Sequence, residues 1–300
     1  MNLDASYAWC VGVARSQAKN FYYSFLLLSK PQREAMCAIY AFMRYCDDLS
    51  DADGVFENDA DGVFEKDADG IFEKNDEGIV DRVAAIARWR ADLESALAGR
   101  TPEHALWPAF VDSVARYKIP HQYFFDMIEG VTSDLIPRRV RTFDELYGYC
   151  YHVASVVGLT IIHIFGFDDP AALQLAEKCG IAFQLTNILR DVREDSQKQR
   201  VYLPAEDLDR FGVSPDTFHP ASAFLRLMEF EAGRARDYYT ESAPLVDLIH
   251  PGSRPSLRAL IGIYSRLLDR IVASNYDVLS RRIRVPAWEK LWILAKVRFS

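Results

Sequence analysis

The sequence lacks the cysteine spacing of a disulfide framework or a zinc site. Its five cysteines are odd in number, far apart, and include no Cys-x-x-Cys pair. Secreted disulfide domains and structural zinc sites depend on such pairs. We therefore expect a protein of the reducing cytoplasm without disulfides or zinc.

The sequence also shows no pattern typical of a targeting or membrane-spanning segment. Residues 1–17 show no basic start followed by an apolar run and a cleavage site, so we expect no signal peptide. The most apolar stretch, 153–167, is shorter than the roughly 20 residues that span a bilayer, and it contains Ser155, Thr160 and His163. It is expected to be a buried helix in a cytoplasmic protein.

Strand-like alternation, hairpin signals and Gly/Pro-rich linkers are absent too. Apolar residues instead recur at spacings of three and four, which is the period of an α-helix. The segments with this period are 32–49, 79–98, 142–165, 171–194, 221–242 and 256–283. We expect an all-α fold in a single domain covering residues 1–300.

The negative charge is concentrated in one segment. Residues 51–78 hold eleven acids and two lysines, a net charge of −9, so that the rest of this −8 chain carries +1. No part of the chain resembles the basic face of a nucleic-acid-binding protein, and we expect no nucleic-acid partner.

The acidic segment 51–78 consists largely of three near-identical octads that begin at Asp51, Asp59 and Asp67. Units this short do not build a solenoid, and their acid content favours solvation. We interpret the segment as an exposed, mobile insertion. A calcium loop is the alternative, but its first and last ligand positions would be Glu65 and Asp76, a poor match to an EF-hand.

One motif with chemical meaning runs from Asn187 to Asp195. Each helical residue advances by 100°, so Asn187, Asp191 and Asp195 lie within about 80° of one another over roughly 12 Å. Gln184 extends the same face by one turn. The spacing predicts a polar stripe on a helix that otherwise forms core.

A second acidic motif obeys the same rule. Asp47 and Asp48 precede Asp51 by four and three residues, and Arg44 and Tyr40 lie one and two turns before that pair. Aligned carboxylates repel one another. Mg²⁺ relieves this repulsion, because it prefers carboxylate oxygens and shares its coordination shell with substrate phosphates. An arginine beside each motif matches phosphate oxygens, so the pair of motifs indicates diphosphate chemistry rather than solvated helix faces.

On these motifs the chain resembles the squalene and phytoene synthase family, the head-to-head branch of the class I isoprenoid synthases. The matching segments are 20–25 (NFYYSF), 38–51 (AIYAFMRYCDDLSD), 149–158 (YCYHVASVVG), 184–195 (QLTNILRDVRED) and 200–204 (RVYLP). The resemblance covers nearly all of the chain and is closest to bacterial presqualene diphosphate and squalene synthases. It implies a helical bundle around a central active-site cavity.

The resemblance also implies roles for individual residues. The ligands of two or three Mg²⁺ ions would be Asp47, Asp48, Asp51, Asn187, Asp191 and Asp195. The diphosphates would be bound by Tyr40, Arg44, Tyr149 and Arg190, with Gln184, Asn187 and Tyr202 in the substrate-binding set. One C-terminal arginine would close the phosphate site, and the motif leaves Arg281, Arg282 and Arg284 open.

Aromatic and small residues complete the expected site. By the resemblance, Phe21 and Phe25 shield a carbocation, although ordinary core packing also explains aromatic residues on amphipathic helices. Ala154 and Gly158 would leave room for an extended prenyl chain, although close helix packing requires small residues as well. Both explanations stay open at this point.

The resemblance implies a Mg²⁺-dependent condensation of two farnesyl diphosphates to presqualene diphosphate, as in hopanoid synthesis. Reduction onward to squalene would require NADPH. Two alternatives remain: a phytoene synthase that joins two geranylgeranyl diphosphates, and a non-catalytic scaffold of the same fold. Downstream isoprenoid enzymes are expected partners.

The C-terminal tail, 281–298, combines six basic residues with one acid, Glu289, and with interleaved Trp288 and Trp292. This composition is compatible with peripheral contact with the inner face of an anionic membrane. A terminal helix docked on the protein is the alternative.

Overall fold

The computed structural model describes residues 1–18, 21–50, 76–136, 138–219 and 221–298, with only the backbone described for residues 76 and 77. In these ranges the chain forms helices and no β-strand, apart from two isolated bridges. The all-α prediction is confirmed. The α-helices are α1 (Leu3–Gln17), α2 (Phe21–Phe25), α3 (Lys30–Ser50), α4 (Asp76–Leu97), α5 (Trp107–Arg116), α6 (Gln122–Ser133), α7 (Phe143–Cys150), α8 (Val156–Phe165), α9 (Ala171–Gln197), α10 (Ala205–Phe211), α11 (Ala221–Ser242), α12 (Leu245–Leu248), α13 (Arg254–Ala273) and α14 (Ala287–Arg298).

The predicted segments 32–49, 171–194 and 221–242 coincide with α3, α9 and α11 to within a few residues. The segment 256–283 was predicted too long, because α13 ends at Ala273. Asn275 and Tyr276 adopt φ angles of 54° and 57°, in the left-handed region that interrupts a right-handed helix. The chain then turns back and begins α14.

The insertion predicted at 51–78 lies mostly outside the described residues, as does its first residue, Asp51. The structure resumes at Asp76, where α4 begins, so residues 76–78 belong to a helix. Before the insertion, α3 continues to Ser50. The described chain on both sides of the octads is therefore helical.

Helices α7 and α8 form one helical run, because a π-helical turn, Tyr151–Ser155, joins them. The run Phe143–Phe165 has 23 residues and a mean hydropathy of 1.4 in its most apolar window, so by length and composition alone it could cross a membrane. This corrects the expectation that the apolar stretch is too short. In the fold, 56% of that window is buried, and the run packs between α6 and α9 as a core helix.

Two hydrophobic clusters meet at α9. In the first, Phe42 of α3 stacks on Phe110 of α5 at 4.7 Å between ring centroids, and Trp107 and Trp89 pack beside them. The second lies between α9, α11 and α13 and includes Leu189, Leu227 and Leu267. Helix α9 belongs to both clusters, so its polar stripe is held between two packed halves.

A buried ion-pair group closes the second cluster. Arg234 of α11 donates to both carboxylate oxygens of Glu231, at 2.8 and 2.7 Å, and to Asp207 of α10 at 3.0 Å. Burial raises the pKa of Glu231 to about 7, and the charge of Arg234 opposes this shift. The folded chain therefore binds a proton that the unfolded chain releases between about pH 4.5 and 7.

We expect the free energy of unfolding to fall as pH rises through that window, and Glu231→Gln to reduce the fall by about 2–3 kcal/mol. Urea unfolding at pH 5 and pH 8 measures the difference. Glu229→Gln, on an exposed position of the same helix, is the control and should leave the pH dependence unchanged. Equal pH slopes for wild type and Glu231→Gln would contradict the assignment.

Candidate active site

A cavity of about 510 Å³ lies in the centre of the described bundle. Its walls come from α1, α2, α3, α6, the α7 to α8 run, α9, α12 and α13, together with the segment before α14. The polar side chains on these walls are Gln17, Tyr40, Arg44, Asp47, Ser50, Asp134, Tyr149, His152, Gln184, Asn187, Arg190, Tyr264 and Arg282. The remaining wall is largely apolar, with Phe21, Met43, Val157, Ile161, Ile162, Leu257 and Leu260.

Helix α3 presents Tyr40, Arg44 and Asp47 to the cavity, one turn apart as the spacing predicted. Arg44 forms an ion pair with Asp48, which lies one turn further along the helix. Burial raises the pKa of Tyr40 to about 12, and the neighbouring Arg44 opposes the shift. The tyrosine hydroxyl is therefore protonated at neutral pH.

Helix α9 presents Gln184, Asn187 and Arg190 to the same cavity. The guanidinium group of Arg190 donates two hydrogen bonds to the carboxylate of Asp191, through Nε and Nη2, and Nε lies 2.7 Å from Asp191 Oδ1. Asp195 is one turn further, beside Arg200. Burial, with Asp191 as the next cause, raises the pKa of Asp195 to about 7.

The structure separates the three C-terminal arginines that the motif left open. Arg282 lines the cavity, and its Nη2 lies 3.0 Å from Asp191 Oδ1. Arg281 pairs with Asp277 instead, and Arg284 is exposed. The loop after α13 thus brings Arg282 back to the acidic face of α9, where Asp191 is held between two guanidinium groups.

Three buried polar atoms on the cavity wall have no hydrogen-bond partner among the described residues. They are Gln17 Oε1, Arg44 Nε and Asn187 Oδ1. Leaving such an atom unsatisfied costs about 1–3 kcal/mol. These atoms have almost no exposed surface, so they belong to the packed layer of the wall and do not face its open space.

Tyr149 lines the cavity and is held by a hydrogen-bond network that the sequence did not reveal. Its hydroxyl donates to Asp134 Oδ2 at 3.0 Å, and the hydroxyl of Tyr202 donates to Asp134 Oδ1 at 2.8 Å. The two rings stack at 4.7 Å. Arg200 donates to the backbone carbonyl of Asp134 at 2.6 Å. Asp134 therefore fixes the orientation of Tyr149, and Tyr202 supports it from behind the wall.

The predicted small residues also reach the cavity. Ala154 belongs to the π-helical turn and Gly158 to α8, and both line the wall. A Cβ atom at Gly180 of α9 would lie only 2.6 Å from Ser155 Cα. On the opposite side, a Cβ at Gly130 would lie 3.0 Å from the backbone of His152. Because Gly130 and Gly180 carry no Cβ atom, α6 and α9 can pack closely on the two sides of the π-helical turn.

The aromatic wall differs from the predicted one. Phe21 lines the cavity, whereas Phe25 is fully buried behind it. Phe183 and Tyr264 join the wall and stack at 4.3 Å, with Phe21 at 5.7 Å from Tyr264. Phe183 could have been found from the sequence, because it precedes Asn187 by four residues and shares its face.

The predicted metal ligands divide into three groups. Asp47 and Asn187 line the cavity, Asp48 and Asp191 lie at its edge in ion pairs with arginine, and Asp195 lies behind it. Asp51 falls outside the described residues. In the part of the chain that the structure describes, no three His, Cys, Asp or Glu side chains form a group that could hold a metal ion by themselves.

The arrangement suits an amphiphilic ligand. Arg44, Arg190 and Arg282 bring positive charge and forked donors to one cavity whose other walls are apolar and aromatic. Guanidinium groups bind phosphate oxygens in a bidentate manner. The cavity volume lies within the range of about 300–1,000 Å³ that holds small ligands. A long hydrocarbon chain with a phosphate head fits this distribution.

Comparison with known proteins agrees with this geometry. The family described as "Squalene/phytoene synthase" matches residues 14–289. The 15-cis-phytoene synthase of Synechococcus elongatus is 34% identical over 97% of this chain and 91% of its own length. A solved dehydrosqualene synthase superposes with a TM-score of 0.83 at 29% identity and covers 99% of this chain and 96% of its own. Squalene synthase HpnC from Alicyclobacillus acidocaldarius, 24% identical over 91% of this chain and 95% of its own, shares the fold with a TM-score of 0.77.

Proposed function

The chain belongs to the squalene/phytoene synthase family of head-to-head prenyltransferases, and from that premise we propose that it joins two farnesyl diphosphates to presqualene diphosphate. The carbon–oxygen bond of one substrate breaks, which leaves an allylic cation and inorganic diphosphate. The double bond of the second substrate attacks the cation. Loss of one proton then closes a cyclopropane ring, and the second diphosphate stays attached.

The observation that carries the proposal is the set of three arginines on the cavity wall. The guanidinium groups of Arg44, Arg190 and Arg282 come together at this one cavity. In the proposed complex these groups bind the diphosphates. Their positive charge offsets the negative charge that develops on the departing diphosphate oxygen, where water is excluded.

Magnesium fits the donors on the two helices. Mg²⁺ needs only one or two carboxylates when substrate phosphates complete its shell. Asp47 and Asp48 on α3 would hold it on one side, and Asn187 and Asp191 on the other, whereas the predicted ligand Asp195 lies behind the cavity wall. When bound, Mg²⁺ would neutralise diphosphate charge and assist departure of the leaving group.

The aromatic side chains shield the cationic stage of the reaction. Phe21, Phe183 and Tyr264 form a contiguous aromatic surface on the cavity wall. Ring faces stabilise a nearby cation, and their bulk keeps water from trapping it. Tyr40 and Tyr149 add hydroxyl groups, and Asp134 holds Tyr149 in position. Asp134 is thus a positioning residue in the proposed reaction.

We propose that a prenyl chain ends against the wall formed by Phe21, Tyr40, Met43, Val157 and Ile161, which favours farnesyl over geranylgeranyl substrates. Behind this wall lies a separate void of only about 20 Å³, capped by Phe25, Met36 and Ile39. On the same measure, about 10–15 Å³ holds one water molecule. An additional five-carbon isoprene unit therefore has no space in that void.

Phytoene synthesis is the second candidate, because relatives over nearly the whole chain carry that name. Similar solved structures instead include a dehydrosqualene synthase and a squalene synthase. Reduction of presqualene diphosphate to squalene, with NADPH, is a further step that the same assay tests. A non-catalytic scaffold would not need three arginines on the wall of a largely apolar cavity.

Product analysis distinguishes these candidates. Incubation with Mg²⁺ and farnesyl diphosphate should give presqualene diphosphate, with a kcat/KM at least about tenfold higher than that for geranylgeranyl diphosphate. Parallel reactions with NADPH test formation of squalene, and an Asp191→Asn preparation controls for contaminating enzymes. Phytoene as the main product would favour the second candidate. No condensation product from either substrate would contradict the enzyme proposal.

A further inference from the structure

Helix α14 carries an apolar stripe that faces away from the protein. Trp288, Leu291 and Trp292 are 68%, 55% and 62% exposed. Their spacing of three and four residues places them on one face of the helix. Large apolar side chains grouped in this way on a surface mark an interaction site more often than isolated ones do.

The opposite face of α14 is fixed to the protein, so the stripe cannot turn inward. Glu289 accepts hydrogen bonds from Arg266 and Arg270 of α13, each at 2.6 Å. Ile293 Cγ2 packs so closely on α13 that a Cβ at Gly262 would lie 3.1 Å away. The ammonium group of Lys290 lies 5.6 Å from the ring centroid of Tyr23 on α2. The sequence alternatives of docked helix and membrane-facing helix are therefore compatible, one on each face.

The charge around the stripe is positive. Of the six basic residues in 281–298, Arg281 and Arg282 pair with acids and Lys290 is buried, so the exposed bases of α14 are Lys296 and Arg298. The one acid of this segment, Glu289, is buried and paired with two arginines. The ammonium group of Lys296 lies 5.5 Å from the ring centroid of Trp292, and Arg298 follows two residues later. This surplus contrasts with the net charge of −8 for the whole chain.

We propose that the outer face of α14 binds an anionic lipid surface, with Trp288, Leu291 and Trp292 inserted at the interface and with Lys296 and Arg298 against lipid headgroups. Tryptophan rings and flanking cations are the residues that favour the boundary between headgroups and acyl chains. A second copy of this chain fits less well, because a symmetric contact would bring two positive segments together.

The apolar stripe of α14 lies close to the cavity. Helix α14 packs on α2, and Phe21 of α2 lines the cavity, so a single short helix separates the stripe from the site. One consequence rests on the proposed function. The C30 product is insoluble in water, and an enzyme lying on a bilayer would release it into lipid.

Vesicle flotation with the full chain tests the surface without using turnover. Wild type should bind vesicles of phosphatidylcholine and phosphatidylglycerol. The triple variant Trp288→Gln, Leu291→Gln, Trp292→Gln should bind at least about thirtyfold more weakly. Lys296→Gln with Arg298→Gln should lose roughly thirtyfold on the anionic vesicles. The control Val80→Gln with Val83→Gln removes exposed apolar side chains from α4 and should bind like wild type.

Tryptophan fluorescence adds a second readout, because Trp89 and Trp107 are buried while Trp288 and Trp292 are exposed. Anionic vesicles should shift the emission of wild type to shorter wavelength. Trp288→Phe with Trp292→Phe should keep the binding and lose the shift. Equal binding by wild type and the triple Gln variant, or no binding by wild type, would overturn the proposal. A dimer that the triple variant converts to monomer would assign the stripe to a protein contact and overturn it too.

Discussion

Replacing Asp191 by Asn is expected to lower kcat for prenyl condensation by about 100- to 1,000-fold. Asp191 accepts from Arg190 on its own helix and pairs with Arg282 from the loop after α13. The amide keeps the size of the side chain but removes the charge that balances two guanidinium groups and that would hold Mg²⁺. Loss of one such electrostatic group costs this much in other enzymes. Steady-state assays with saturating Mg²⁺ measure the effect.

The matched control is Asp207→Asn. It removes a carboxylate from another partly buried arginine pair, at Arg234, away from the cavity. Its cost to stability should be similar, while its activity should stay within about threefold of wild type. A second readout is thermal: Mg²⁺ with inorganic pyrophosphate should stabilise wild type and Asp207→Asn, but not Asp191→Asn. Equal activity losses in the two variants would indicate a structural role for Asp191.

Replacing Gly180 by Ala is expected to destabilise the fold by about 2–3 kcal/mol. At the upper end of this range the equilibrium constant for unfolding rises more than a hundredfold. The new Cβ would lie 2.6 Å from Ser155 Cα and 2.9 Å from the carbonyl oxygen of Ala154. Both are backbone atoms, so the clash is relieved only by moving α9 away from the π-helical turn. Urea unfolding measures the loss.

The same movement should also impair the proposed reaction. Helix α9 carries Asn187 and Asp191, and the run containing the π-helical turn carries Tyr149 and Ala154. A displacement of about 1 Å between reacting groups costs about a hundredfold in rate. Gly233→Ala, on α11 with no atom within 4 Å of the new Cβ, is the control and should stabilise by about 0.5–1 kcal/mol. Wild-type stability in Gly180→Ala would show that the helices separate without cost.

Much of the site was predictable because helical periodicity is local. The spacing of Asn187, Asp191 and Asp195 fixes their common face of α9 whatever surrounds that helix. The same rule aligned Tyr40, Arg44 and Asp47 on α3. Both stripes occur as predicted, with Asp195 behind the cavity wall rather than on it. Phe183 follows the same rule and was nevertheless missed as a wall residue, because an apolar residue beside a polar stripe resembles core.

Contacts between distant segments were not predictable, because they depend on how the helices pack. Only the path of the chain after Ala273 selects Arg282 over its neighbours, since left-handed residues end α13 and turn the chain back. The Asp134 bridge joins three segments that lie far apart in the sequence. Phe25 was expected beside the cavity, yet packing places it behind the wall.

The sequence by itself determined the helical class, the two acidic faces and the family, since each depends on residue spacing along a single element or on local motifs. Tertiary structure decided where the two acidic faces meet, how far the cavity extends, and which side of α14 remains outside. The absence of cysteine pairs, strands and linkers could not decide these features. These depend on the packing of side chains between helices, and one Cβ at Gly180 or one turn of α9 would change them.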